Sequence, residues 1–520
     1  MLYIIPRNPL CATLSLLLLA SAAAAQVPLQ QLGTDTYNNP QSFHATEIEP
    51  DSFSVGSTIV ATYQVGRAAK GGASDTGFAT SLDGGQTWTT GNLPGITRAD
   101  NPDNPYDRAN DPAVTYDAKH GVWMIVTMPW AAAQDSAPPR PPVPIPAAIV
   151  SRSVDGLNWD NPISATPDVL NSDKPWIACD NTPTSPFYGN CYVEWDIPRE
   201  NGLIQMNAST DGGLTWGPTM SSADSAGGIG GIPMVRPDGT VIVPFYRFKP
   251  TSIAYFTSID GGLTWSTTQK ISKLVFHVEA GNFRTIAEPS GGMDANGNIY
   301  IAWQDCRFRL NCASNDIVLS QTADGVTWSK PFRIPIDDGQ TIVDYFLPGL
   351  AIDPTTSGDS VHMALTYYYF SDTNCDATSC RLYVGAVSSA DSGVTWSAPV
   401  QLAGPMRLSW LPTKNKKPMV ADYISTSYAN GLAFGFFPVA TKKVDKAYNM
   451  AVFTNAVGMA PPVHTPGLAG AHPGPAWQLA LDYELDDQFT ILGENNLLFP
   501  DLDTPSIDTF HDPNAEVVAY

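Results

Sequence analysis

The chain has 520 residues, with 28 Lys and Arg against 50 Asp and Glu, a formal net charge of −22 at pH 7. That balance excludes nucleic acid and an acidic membrane surface as partners, because both would repel it. Only 15% of residues are charged, aromatics reach 10%, and 45 Pro and 42 Gly supply many tight turns, a composition that suits a rigid β-protein rather than a disordered chain.

Residues 1–25 read as a secretory signal. Arg7 gives a weak positive start, Leu14 to Ala20 an apolar core, and Ala23-Ala24-Ala25 a small-residue cut site before Gln26. The apolar run is short for a membrane span, and no other segment reaches about 18 apolar residues, so a soluble, exported protein, periplasmic or extracellular, is expected. Cys11 precedes the cut. Six cysteines follow it, in three close pairs, and export favours their oxidation. Cys179–Cys191, Cys306–Cys312 and Cys375–Cys380 are the simplest of the fifteen possible connectivities. A metal site is the weaker alternative, since no His stands beside these cysteines. No metal or cofactor is expected, and the protein is expected to be a monomer.

From residue 26 to 456 the chain is a repeat. Ser81-Leu82-Asp83-Gly84-Gly85-Gln86-Thr87-Trp88 is the first of six copies of a Ser/Thr-x-Asp-(x)-Gly-x-Thr-Trp turn. The others centre on Asp155…Trp159, Asp211…Trp216, Asp260…Trp265, Asp324…Trp328 and Asp391…Trp396. Each lies between β-like runs, so each is a hairpin turn. The Asp accepts backbone N–H bonds, Gly supplies positive φ, and Trp anchors the unit by packing.

Between the turns lies a second repeat, an inner strand, a Gly/Asp/Asn turn and a second strand. Asn110–Asp117 with Gly121–Val126 is one example, and Ala287–Ser290 with Ile299–Trp303 is another. Counting inner strands yields seven, from an early one at Ala45–Glu49 to a late one at Lys417–Asp422. The last unit lacks its turn motif and its outer strand. Gln26–Gly33 looks like the tails that follow the other turns, so the N-terminus is expected to complete the last unit, pairing with the strand near 449–453 and removing an open edge. After residue 456 a Pro/Gly-rich linker leads to an acidic appendix, 457–520, with ten Asp and Glu in 476–520 and no Lys or Arg after Lys446.

The turn motif has the pattern of the Asp box, or BNR repeat, and over residues 40–455 the chain resembles the sialidase superfamily. The resemblance implies an all-β fold, a β-propeller of seven four-stranded blades, with six as the alternative. It also implies a site on an acidic extracellular glycan. Sialidases use three Arg on the substrate carboxylate, a Tyr nucleophile helped by a Glu, and an Asp acid/base. The family's Phe-Arg-Ile-Pro motif appears at Phe332-Arg333-Ile334-Pro335, but on an outer strand.

In a ring of such units, ligand-binding residues must come from the entries to inner strands and the loops after second strands. Those positions offer Glu288, Tyr369, Tyr423 and Asp111 as catalytic candidates. They offer Arg247, Arg284, Arg307, Lys174, Glu194, Trp195 and Asp305 for substrate binding. Arg pairs with a carboxylate and aromatic rings stack on sugar faces. Against this, Asp111 can simply cap a turn, Trp195 and Trp303 can be packing residues, Asp305 with Arg307 can be a structural ion pair, and His277 and His362 are lone histidines. Three functions follow: a sialidase-like hydrolase of acidic glycans, a uronate polysaccharide lyase, or a non-catalytic binding propeller.

Overall fold

The computed structural model describes residues 27–131, 144–169 and 172–462. The signal segment, Cys11 and the body of the acidic appendix lie outside the described residues.

The described chain is nearly all β and is built from four-stranded antiparallel units in sequence order. The first runs Glu47–Val55, Thr58–Arg67, Ala73–Ser81 and Thr89–Asn92. The second, Arg108–Asp117 to Ile163–Ser164, joins it through one pair, Ala73 with Ala109. The third begins at Asp173–Cys179, the fifth at Ser290–Met293 and the sixth at Asp344–Ile352. Second strands such as Val122–Trp130 and Val241–Arg247 are packed on both faces by neighbouring units, so they read as near-continuous apolar runs.

Inner strands depart from the expected ranges in several units: the first is Glu47–Val55 rather than Ala45–Glu49, and the fifth is Ser290–Met293 rather than Ala287–Ser290. In the fourth unit the inner strand is split into Gly228–Ile229 and Met234–Val235. The carboxyl groups of Glu288 and Glu194 lie against Gly230 and Gly231, so close that a Cβ at either glycine would meet them within 2.9 Å. In the seventh unit, Lys417–Pro418 does not open the inner strand. It pairs with Thr413–Lys414 in a separate hairpin, turned by Asn415 and Lys416 at φ 49° and 67°. The inner strand is Ser425–Ala429, followed by Leu432–Ala440 and Met450–Asn455. Leu29–Gln31 is the fourth strand of this sheet, with Leu29 opposite Asn455 and Gln31 opposite Phe453.

In all six Asp turns the carboxylate accepts backbone N–H groups of its own turn, two and three residues on in the shorter Asp155 and Asp324 copies. Asp211 Oδ1 accepts the N–H groups of Leu214 (3.0 Å) and Thr215 (2.9 Å), and Oδ2 accepts the Thr215 hydroxyl at 2.6 Å. Turn Trp rings reach back to the preceding unit: Trp159 packs on Phe78, Trp265 on Tyr192 and Trp328 on Tyr255. Trp88 of the first unit packs on Phe436 of the seventh at 5.8 Å. Inner strands of the first and seventh units also touch, through Ser52 and Ser425 at 2.9 Å. All three expected disulfides are formed. Arg333 lies on the outermost strand of the fifth unit, paired with Asp316 and Asp337. Among the described residues no helix is long and apolar enough to cross a membrane.

Candidate functional site

Inner strands carry a recurrent irregularity just before a proline. Their pairing slips between Ile48 and Asp51, Asn110 and Ala113, Asp173 and Trp176, and Phe346 and Gly349. At each slip a non-glycine residue takes positive φ: Glu49 (53°), Asp111 (45°), Lys174 (48°) and Leu347 (49°). Each is followed by Pro, as is Glu288 in the fifth unit. A left-handed non-glycine residue costs on the order of 1 kcal/mol, so the arrangement persists only where packing imposes it. Three of the four slips deliver an ionisable side chain, Glu49, Asp111 and Lys174, to the same end of the inner strands, and Glu288 stands there before its own proline without a slip.

There they form a buried network. Lys174 Nζ lies 2.6 Å from Asp422 Oδ2 and 3.5 Å from Asp111 Oδ1. Arg284 Nη1 donates to the other oxygen of Asp422. Gln64 donates to Glu49 and, at 2.6 Å, to Asn110, while Arg67 donates to Gln64 at 3.1 Å. Asp196 has both carboxyl oxygens buried with no hydrogen-bond partner among the described residues.

The protonation pattern is divided. Burial pushes Glu288 up to about 8, against the partly offsetting charge of Lys174. Burial takes Glu49 to about 8 and Asp173 to about 7, and lifts Glu194 and Asp196 well above the carboxylate range. Burial opposes charge on Asp422 as well, yet Arg284 and Lys174 outweigh it and hold this carboxyl far below its usual range. Lys174 in turn is held protonated against burial by Asp111 and Asp422.

Lys174, Glu288, Asp422 and Tyr423 line one end of a cavity of about 480 Å³ along the inner strands, to which all seven units contribute. That end is closed. Lys174, Asp422 and Arg284 are each no more than 3% exposed, and the Thr413–Pro418 hairpin lies over them. The hairpin is fixed by Arg284 N–H donating to Pro418 O (2.9 Å) and Lys414 Nζ to Lys70 O (3.0 Å). Burial, with Arg67 and Arg284 nearby, pushes the Lys414 ammonium well below its ordinary range. The Tyr423 hydroxyl donates to Pro112 O at 3.0 Å, and its ring meets Trp176 edge-on at 5.2 Å.

Of the sequence candidates, Asp111, Lys174, Glu194, Arg284, Glu288 and Tyr423 come together here. The others stand apart. Tyr369 stacks on Tyr383 at 5.0 Å, and its hydroxyl points to Gln401. Arg247 faces Asp224 at 4.0 Å. Arg307 binds Asp305 at 2.7 Å, and Asp305 also accepts the Trp303 indole N–H, so the pair holds the Cys306–Cys312 loop. Trp195 is fully buried, its N–H on Asn207 at 3.2 Å. His277 and His362 pair locally with Asp344 and Asp353. Glu49, Gln64 and Arg67 were not anticipated. Glu49-Pro50 repeats the pattern of Asp111-Pro112 and Lys174-Pro175 and could have disclosed the first of them. No group of three or more His, Cys, Asp or Glu among the described residues is arranged to hold a metal ion.

No family model matches the chain, and no curated protein matches it. Solved structures do. An ulvan lyase, described as a new family of polysaccharide lyase, is 12% identical over 83% of this chain and 97% of its own, with a TM-score of 0.44. A protein of unknown function from Dyadobacter fermentans is 15% identical over 70% and 99%, with a TM-score of 0.43. The intramolecular trans-sialidase of Ruminococcus gnavus is 13% identical over 83% and 98%, with a TM-score of 0.38.

Proposed function

We propose that the protein is an exported hydrolase of acidic glycans, built on a seven-bladed β-propeller whose N-terminal strand completes the last blade. The propeller reading is supported by the repeated four-stranded units and by Trp88 packing back on the seventh unit. Export is supported by the three disulfides.

The activity rests on one arrangement: two carboxyl groups line the closed end of the cavity, Asp422 bound by Arg284 and Lys174, which hold it ionised, and Glu288 pushed up by burial. Glu288, at about 8, is neutral at pH 7 and can donate a proton to a leaving glycosidic oxygen. Asp422, ionised between Arg284 and Lys174, can stabilise positive charge on the sugar ring or orient water. Lys174 is the cavity-lining cation for a sugar carboxylate, and the partly exposed Trp176 ring offers a stacking face. Tyr423 is poorly placed as a nucleophile, since burial raises its pKa and its proton is committed to Pro112. A lyase would need a His or Tyr base; no His is among the cavity-lining residues, and burial raises the hydroxyls of the two lining tyrosines, Tyr423 and Tyr428, above their ordinary range.

The test is turnover of sialosides and uronate-bearing oligosaccharides. Wild type should release sugar, with activity falling as pH rises through about 8. Glu288→Gln should lower kcat/KM by ~10²-fold or more with little change in Tm. Full activity in Glu288→Gln would place the chemistry elsewhere; binding without turnover across the panel would establish the non-catalytic reading instead.

A further inference from the structure

The seventh unit carries two hairpin turns that depart from ordinary turn chemistry at the same place. Thr413–Lys414 and Lys417–Pro418 are joined by Asn415 and Lys416, at φ 49° and 67°. After the second strand, Val444 and Ala447 exchange backbone hydrogen bonds at 3.0 and 2.8 Å around Asp445 and Lys446, at φ 50° and 73°. A two-residue turn with both φ positive favours Asn-Gly or Asp-Gly. Here the first residue conforms each time, and a lysine stands where glycine is favoured. Lysine is strained at positive φ, and both side chains are exposed, so packing does not select them.

Both turns stand at the head of the cavity. The first lies over it, with Lys414 Nζ on Lys70 O. The second follows the second strand of its unit and so rises at the end where the inner strands begin. It docks on the first unit: Tyr448 N–H donates to His44 O at 2.9 Å, Ala45 N–H donates to Tyr448 O at 3.0 Å, and Ser42 pairs in turn with Ala68. The two turns therefore flank the entry of the first unit. Lys70, Lys416, Lys442 and Lys446 are exposed there, and Lys417 and Lys443 are half-buried. Lys443 Nζ lies 3.5 Å from the centre of the Tyr448 ring, which packs on Phe43 at 5.2 Å. Between residues 407 and 446 the chain has seven Lys and Arg against two Asp, in a molecule of net charge −22. Of those two, Asp422 is buried between Arg284 and Lys174, and Asp445 is exposed in the second turn.

We propose that this lysine face is a second binding site, separate from the cavity, for a strand of carboxylate-bearing glycan. An ammonium is a point charge on a flexible stem, so it can follow carboxylates along a strand without demanding one geometry. The hairpins hold the backbone beneath the lysines fixed, which lowers the cost of ordering them. The net negative charge of the molecule repels an acidic strand, so the strand is steered to this face. Nucleic acid, with its denser phosphate charge, is repelled more strongly. The face lies at the closed end of the cavity, and a strand held there leaves the open end free. Holding a polymer by its length raises the concentration of its chain ends at that opening. That the strand is a glycan rests on the activity proposed above; the cationic face does not.

Fluorescence anisotropy of an end-labelled alginate oligomer, titrated with the full-length protein, tests it. Wild type should bind at low salt, and affinity should fall steeply as salt rises. Lys416→Gly with Lys446→Gly places the favoured residue in both turns, so the fold is kept and Tm holds or rises. That variant should bind alginate about tenfold more weakly or worse. Lys416→Arg with Lys446→Arg should bind as wild type does. A purely structural role for these turns moves Tm and leaves binding alone. Alginate that does not bind, or that binds the glycine variant as tightly as wild type, would overturn the proposal. Equal affinity for single-stranded DNA would overturn it too, because the face would then be a general polyanion surface. Turnover of small sialosides and uronosides is read separately: alginate binding that is lost in the glycine variant of a protein without turnover keeps this site and removes the hydrolase reading.

Discussion

Glu49, Asp111 and Lys174 reach the head of the cavity because each sits in a strained bend before proline, and each is buried there at a cost in solvation. The consequence is a pH dependence with a definite sign. Burial raises Glu47, Glu49, Glu279 and Glu288 to about 8, and Asp51 and Asp173 to about 7. Their folded values lie above the unfolded ones, so the native state binds more protons. Stability should fall as pH rises from about 4.5 through about 8, and level off above. The turn carboxylates act in the opposite sense. Asp83, held to about 2 by its bonds to Thr87, contributes above the unfolded value and is lost only as pH falls toward 2, outside that window. Melting curves between about pH 5 and pH 9 should show Tm declining across the range. A Tm that climbs from pH 5 to 8 would contradict the buried, neutral state of these acids.

At the scale of the element, the Asp turn is a self-contained device. Its carboxylate ties two backbone N–H groups and one hydroxyl within five residues, and its Trp is delivered to the unit before it. Removing the carboxylate in one turn should loosen one hairpin without reaching the cavity. Asp211→Ala is expected to lower unfolding stability by ~1–2 kcal/mol, measured in urea, while ligand binding stays unchanged. A loss of binding at unchanged stability would mean that this turn carries a functional role. The disulfides likewise act within elements. Cys179–Cys191 ties the first and second strands of the third unit, while Cys306–Cys312 and Cys375–Cys380 close loops after second strands.

For the whole molecule, the N-terminal strand joins the two ends of the described chain. Leu29–Gln31 covers the edge of Met450–Asn455, and Leu32 is fully buried in the cluster that also holds Tyr63 of the first unit and Phe434 of the seventh. Deleting residues 27–33 would leave a strand edge unpaired and open that cluster. The expected outcome is a Tm lower by several degrees together with concentration-dependent aggregation, followed by light scattering. Unchanged melting and solubility would show that the last sheet does not need its fourth strand.

What the sequence determined by itself was the periodic part of the structure. The Asp turns, the β character, the six paired cysteines and the N-terminal tail that resembles the other outer strands are all local patterns. A turn or a strand declares itself through neighbours a few residues away. The candidate site was legible only by position. Asp111, Lys174, Arg284 and Glu288 could be placed at strand entries, but nothing local distinguished them from Arg247, Arg307 or Tyr369, which occupy equivalent positions and face elsewhere. Tertiary structure decided which of them meet. It set Asp422 between Arg284 and Lys174, residues 138 and 248 positions away. It folded the Lys417–Pro418 stretch into a hairpin over the head of the cavity instead of an inner strand. It also divided the carboxyl groups into neutral and ionised, because burial and the reach of a cation belong to the assembled molecule and not to any segment of it.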